Sequence, residues 1–120
     1  MTKIIFYRSG GSFYGFEEQG HACYNENGDD VLCAALSAMT MLIVNTIEVA
    51  YASDVDYDIN DELTKIKVTS KAALPEFEED ECKRYAVSGL FMAYFYQLND
   101  MLEDYYKYLE VDVVDKEYAE

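Results

Sequence analysis

The stretch GHACYNENGDDVLCAALS, Gly20 to Ser37, has two chemically different halves. Gly20 to Gly28 is polar, holds a glycine at each end and contains His21, the one histidine of the chain. From Val31 to Val44 the sequence is apolar, interrupted only by Ser37 and Thr40. That switch predicts a loop running into a helix. Asp29 and Asp30 stand at the junction, where a carboxylate can cap free backbone N–H groups. With Asp30 as the cap, Cys33 falls at the third helical position, inside the first turn, where the helix N-terminus carries partial positive charge.

A cysteine so placed can be chemically active. Its ordinary pKa of about 8.5 falls to roughly 3.5–7.5 at helix N-termini or beside an imidazolium. His21, on a glycine-flanked loop twelve positions earlier, is able to fold back as the base. The plainer alternative is a core-filling cysteine and an unremarkable loop histidine. Ser37 lies four residues after Cys33 and shares its helix face. Its hydroxyl either bonds the thiolate or histidine, or bonds back to the Cys33 carbonyl.

The literal residues add to this. Gly20-His21-Ala22, Gly28, Asp30 with Val31 and Leu32, Cys33-Ala34-Ala35 and Ser37 resemble the signature of the ribosomal-processing cysteine protease family, Prp. The resemblance implies Cys33 as nucleophile and His21 as general base, with Asp30 and Ser37 in support and Gly20 and Gly28 giving the loop its freedom. It also implies a substrate: the N-terminal extension of a large-subunit ribosomal protein, cut beside adjacent phenylalanines before ribosome assembly. A homodimer is implied as well. Cys23 departs from the pattern, because a small residue is expected there, and it raises the question of the resting redox state.

Composition bounds the remaining readings. A chain of 120 residues, 51% of them hydrophobic, suits one domain over 1–120 and argues against disorder. Twelve tyrosines and six phenylalanines suggest broad amphipathic packing surfaces. No basic segment precedes an apolar one as in a signal peptide, and Val31–Val44 reads as too short and too broken for a membrane span. Cys23, Cys33 and Cys82 are too few and too irregular for a disulfide scaffold, which fits a reducing cytoplasm. His21, Cys23 and Cys33 have no familiar zinc spacing, so neither a metal nor a cofactor is expected. The net charge of −15 disfavours a grip on nucleic-acid phosphates and favours a basic partner.

Elsewhere the pattern is that of a small mixed fold. Ile4–Tyr7 and Phe13–Phe16 flank Gly10-Gly11, predicting a hairpin over residues 3–18. The first helix, about Asp30 to Ala50, is apolar almost all round and is expected at the centre. Val55, Tyr57 and Ile59 alternate with aspartates in a half-buried strand, and Lys65 to Val68 return. The row Asp54, Asp56 and Asp58 lacks the glycine and glutamate of a calcium loop. After Pro75 an acidic stretch leads into a second helix through Val87, Phe91, Tyr94, Leu98 and Met101. Val111–Val114 forms a last strand and the tail after Lys116 frays. The predicted order is β-β-α-β-β-α-β: α+β, two helices packed on a mostly antiparallel sheet. Two other functions stay open from the residues alone, a non-catalytic module for a basic ribosomal protein and a Cys23/Cys33 thiol redox protein.

Overall fold

A computed structural model describes residues 1–20, 29–60 and 62–119. Strands β1 (Thr2–Ser9) and β2 (Ser12–Gln19) form the expected hairpin, turned by Gly10 and Gly11 at φ of 56° and 84°. Helix α1 (Asp29–Asn45) follows, then the antiparallel pair β3 (Asp56–Asn60) and β4 (Lys65–Thr69). Helix α2 (Glu81–Tyr105) leads into β5 (Leu109–Asp115). The sheet order is β3-β4-β2-β1-β5, antiparallel throughout except that β5 runs parallel to β1. The predicted α+β architecture and element order are those observed.

The core forms because period-2 and period-3.6 patterns meet on one side of the sheet. Ile4, Phe6, Phe16 and Val68 are fully buried, as are Val87, Phe91 and Leu98 of α2. Phe16 meets the rings of Phe91 and Tyr94 edge-on at 6.1 and 5.0 Å, and Phe6 meets Phe95 at 5.3 Å. Edge-to-face contacts of this kind favour one registration of α2 on the sheet.

Several boundaries and exposures differ from expectation. Helix α2 begins at Glu81, later than the acidic stretch suggested, because Asp80 caps it by accepting from the N–H groups of Cys82 (2.9 Å) and Lys83 (3.3 Å). Strand β3 is exposed along its whole length, since it is the outermost strand of the sheet. The tail does not fray at Lys116: its N–H donates to the Arg8 carbonyl at 2.9 Å, and Tyr118 packs edge-on against Tyr14.

Helix α1 departs most. Only one side of it is buried, through Leu32, Leu36, Ile43, Val44 and, in the π-helical turn Thr46–Ala50, Ile47. Val31, Leu42 and Val49 remain 62–71% exposed in a stripe along the other side. Among the described residues, a single helical layer on one sheet supplies nothing to cover that stripe. Val31–Ala50, with mean hydropathy 1.7, is in fact long and apolar enough to cross a bilayer by length and composition. The buried side, committed to the protein core, is what argues against a span.

Phe91→Ala is expected to cost about 3–5 kcal/mol of stability, against about 1 kcal/mol for Asp80→Ala, which removes only a helix cap. Urea unfolding followed by circular dichroism measures both.

Candidate functional site

Strand β2 ends in two adjacent glutamates that alternation sends to opposite faces of the sheet. Glu17 lies on the face away from the helices. There Tyr7 donates its hydroxyl proton to Oε2 at 2.5 Å, and the Lys65 ammonium meets Oε1 at 2.6 Å. Glu18 shares the helix-covered face with Phe16. It is 8% exposed, and among the described residues its Oε1 accepts no hydrogen bond. Burial raises its pKa from the ordinary carboxylate range to about 7. Tyr94 of α2 lies beside it and Thr40 of α1 beside Tyr94. Burial first, then the charge of Glu18, drives the Tyr94 hydroxyl far above its usual pKa. Neither the Tyr94 hydroxyl nor Thr40 Oγ1 makes a hydrogen bond of good geometry among the described residues.

Above this polar trio a cavity of about 160 Å³ opens between β2, α1 and the β3–β4 connection. Glu18, Gly20, Cys33 and Ser37 line it, with Asn60 and Thr64 from the facing side. The i, i+4 relation puts Cys33 and Ser37 on one helix face, as expected. The structure therefore brings together Cys33, Ser37 and Gly20. Gly20 is at φ 86°, and a Cβ there would collide with the Met1 carbonyl oxygen. Its N–H donates to the Thr64 carbonyl at 3.0 Å.

His21, Cys23 and Gly28 lie outside the described residues. Asp30 differs from expectation: α1 starts at Asp29, so Asp30 is the second helical residue and not the cap. Cys33 is accordingly the fifth residue, just past the first turn where the dipole acts most strongly. Its side chain is half-buried, and the cysteine is disulfide-bonded. Cys82 is free and exposed on α2. Among the described residues no three His, Cys, Asp or Glu side chains gather as a metal site. A larger concavity, about 530 Å³ beside Arg84 and Tyr85, holds none of the expected residues.

The family model described as cysteine protease Prp matches residues 1–110. The chain belongs to that family. It is thereby a cysteine protease, and the sequence resemblance stands. Among solved structures it is similar to the Streptococcus mutans protein SMU.848, with 25% identity over 97% of this chain and 96% of that one, at a TM-score of 0.79. It also matches the fold of the ribosomal processing protease Prp from S. aureus in two complexes. The one with a covalently linked product peptide gives 18% identity and TM-score 0.74, and the one with a substrate peptide 17% and 0.75. Each comparison covers 95% of this chain and all of the other. Comparison with the curated proteins finds no match.

Glu18 was not among the residues singled out from sequence. Its signal was the period-2 count along β2: two residues after Phe16, it occupies an inward position of a strand whose inward residues are otherwise apolar. The raised pKa has a stability consequence with a definite sign. Between about pH 4.5 and 7 the folded protein holds a proton on Glu18 that the unfolded chain has released, so stability falls through that window and is flat above it. Glu18→Gln should therefore match the wild type near pH 4.5 and exceed it above pH 7 by about 1–3 kcal/mol. Denaturant titrations at the two pH values read this directly.

Proposed function

We propose that the protein is a cytoplasmic endopeptidase that uses a Cys33–His21 dyad to remove the N-terminal extension of a basic large-subunit ribosomal protein. The observation that carries the reading is the cavity beside Cys33, formed by α1 and the end of β2 in a chain of the Prp family. The ribosomal substrate is supported by the S. aureus protease of the same fold, which is described as ribosomal processing and holds a substrate peptide. The net charge of −15 suits a basic partner.

In this reading the Cys33 sulfur attacks the peptide carbonyl carbon and the C–N bond breaks. His21, having taken the thiol proton, passes it to the departing amine. Water then attacks the thioester, releases the carboxylic acid product and restores the thiol. Backbone N–H groups of residues 29–31, in the first turn of α1, lack intrahelical acceptors and suit the oxyanion. Asp30 and Ser37 support this pair, Ser37 from the same helix face as Cys33.

The chemistry requires reduced Cys33, and a reducing cytoplasm would supply it. The disulfide at Cys33 also favours a second reading, a thiol redox protein. Incubation with an extended ribosomal precursor separates the two. Cleavage that needs reductant, vanishes in folded Cys33→Ala and falls at least ~10²-fold in His21→Ala supports the protease dyad. Cleavage by Cys33→Ala at the wild-type rate would overturn it. Reversible dithiol oxidation of a partner without cleavage supports redox function, and stoichiometric binding alone a non-catalytic module.

The homodimer fits the exposed stripe Val31, Leu42 and Val49, which a second copy would cover. Leu42→Asp should convert a dimer to a monomer in analytical ultracentrifugation. A wild-type protein that is already monomeric at micromolar concentration would reject the dimer.

A further inference from the structure

The end of the sheet opposite the Cys33 cavity carries two adjoining hollows that the attack just described leaves unused. One is a groove of about 530 Å³ between the first half of α2, Pro75 and the β1–β2 turn at Gly11 and Ser12. Gly89 leaves the α2 wall of this groove bare, since a Cβ there would meet no atom within 4 Å. Tyr85 and Met92 line the same wall and are 72% and 36% exposed. The other hollow is a cleft of about 310 Å³ lined by Ser9, Glu76, Phe77, Glu117 and Tyr118. Pro75 and Glu76 are consecutive, and Ser9 and Gly11 belong to one hairpin, so the two hollows flank a single junction.

Their chemistry is that of a receptor for a cation with an apolar neighbour. Among the described residues the Glu76 and Glu117 carboxylates make no ion pair, and between them Phe77 meets the Tyr118 ring edge-on at 5.3 Å. Carboxylates beside aromatic faces recognise an ammonium or a guanidinium. The nearby cations are already committed. Arg8 is held by Asp115 at 2.8 Å, and Arg84 donates to the Glu78 and Glu79 carbonyl oxygens at 2.7 and 3.0 Å. The acidic run from Glu76 to Glu81 leads from the cleft to the groove, where Glu81 lines the wall. A second copy of this chain, at −15, would bring like charge to the cleft.

We propose that this end of the molecule is a docking site for a basic segment of the substrate protein, remote from the bond that is cut. A lysine or arginine enters the cleft between Glu76 and Glu117, and a bulky apolar side chain fills the groove beside Gly89. The proposal rests on the protease reading for the identity of the partner: removal of an N-terminal extension leaves the basic body on the C-terminal side of the scissile bond. Strand β2 runs from Ser12, on the groove, to Gln19, next to Gly20 on the Cys33 cavity, a span of about 25 Å at ~3.3 Å per residue. An extended peptide covers that span with about eight residues. A short peptide held at Cys33 therefore does not reach the docking site, and a longer one does.

The probes are peptides with a Phe-Phe cut site followed by a tail of about four, eight, twelve or sixteen residues. Each tail contains lysine and leucine, or has its lysines replaced by glutamine. Binding to folded Cys33→Ala is read by fluorescence anisotropy, and cleavage with the reduced enzyme. Affinity for the lysine tails should rise roughly tenfold or more once the tail exceeds about eight residues, and the glutamine tails should show no such rise. Gly89→Leu fills the groove from a helical position that favours leucine over glycine, so it keeps the fold. Glu76→Gln with Glu117→Gln removes two exposed charges from the cleft. Each change should erase most of the rise, while the shortest peptide is cut at the wild-type rate. No rise with length, an equal rise for glutamine tails, or a rise that survives both sets of substitutions overturns the proposal. Length-dependent binding without cleavage of any peptide leaves the docking site standing and removes the protease reading. Cleavage of every peptide with no dependence on the tail does the reverse.

Discussion

Strand β2 holds the molecule together through the aromatic clamp at its centre. It is hydrogen-bonded to β1 on one side and β4 on the other, and Phe16 at its middle is fixed by Phe91 and Tyr94 of α2. That clamp sets where β2 ends. Gly20, with its backbone against Met1 and Thr64, then sets where the chain departs toward α1. Slipping β2 by one residue would take the cavity apart, since it turns every β2 side chain to the other face.

Much of this arrangement could be read from the residues. The hairpin was marked by Gly10-Gly11 between two β-prone runs, and α2 by buried positions spaced at 87, 91, 94 and 98. The Cys33–Ser37 face followed from helical geometry alone. The misreadings have a common physical origin: a linear pattern reports which residues are apolar, but not how many layers exist to cover them. Helix α1 was expected to be buried all round because it is apolar all round, yet a sheet with helices on one face can bury only one side of it. Strand β3 alternates like a half-buried strand and lies exposed, because its place at the edge is a property of the sheet order. The start of α1 at Asp29 moved Asp30 from cap to second helical residue, a shift too small for propensity to resolve.

The adjacent glutamates show how the same residue type takes two roles by alternation alone. Glu17 meets a phenol and an ammonium, tying β2 to β1 and β4. Glu18, one residue later, lies between Ile4 and Ile66, and its burial shifts the balance toward the neutral form. The chemistry available in the cavity thus depends less on composition than on the parity of a strand position.

The parallel pairing of β1 with β5 also governs when the fold can form. Arg8 and Asp115, which bond through Nε and Oδ1 at 2.8 Å, are separated by 107 positions. Residues 2–8 therefore have no partner on their outer edge until residues 109–115 have been synthesised. On a translating ribosome the β1–β2 hairpin and α1 would wait with that edge uncovered until the end of the domain is made. Assembly is a late, non-local event, which places this protein among slower folders for its size and makes the nascent β1 edge the segment most in need of protection.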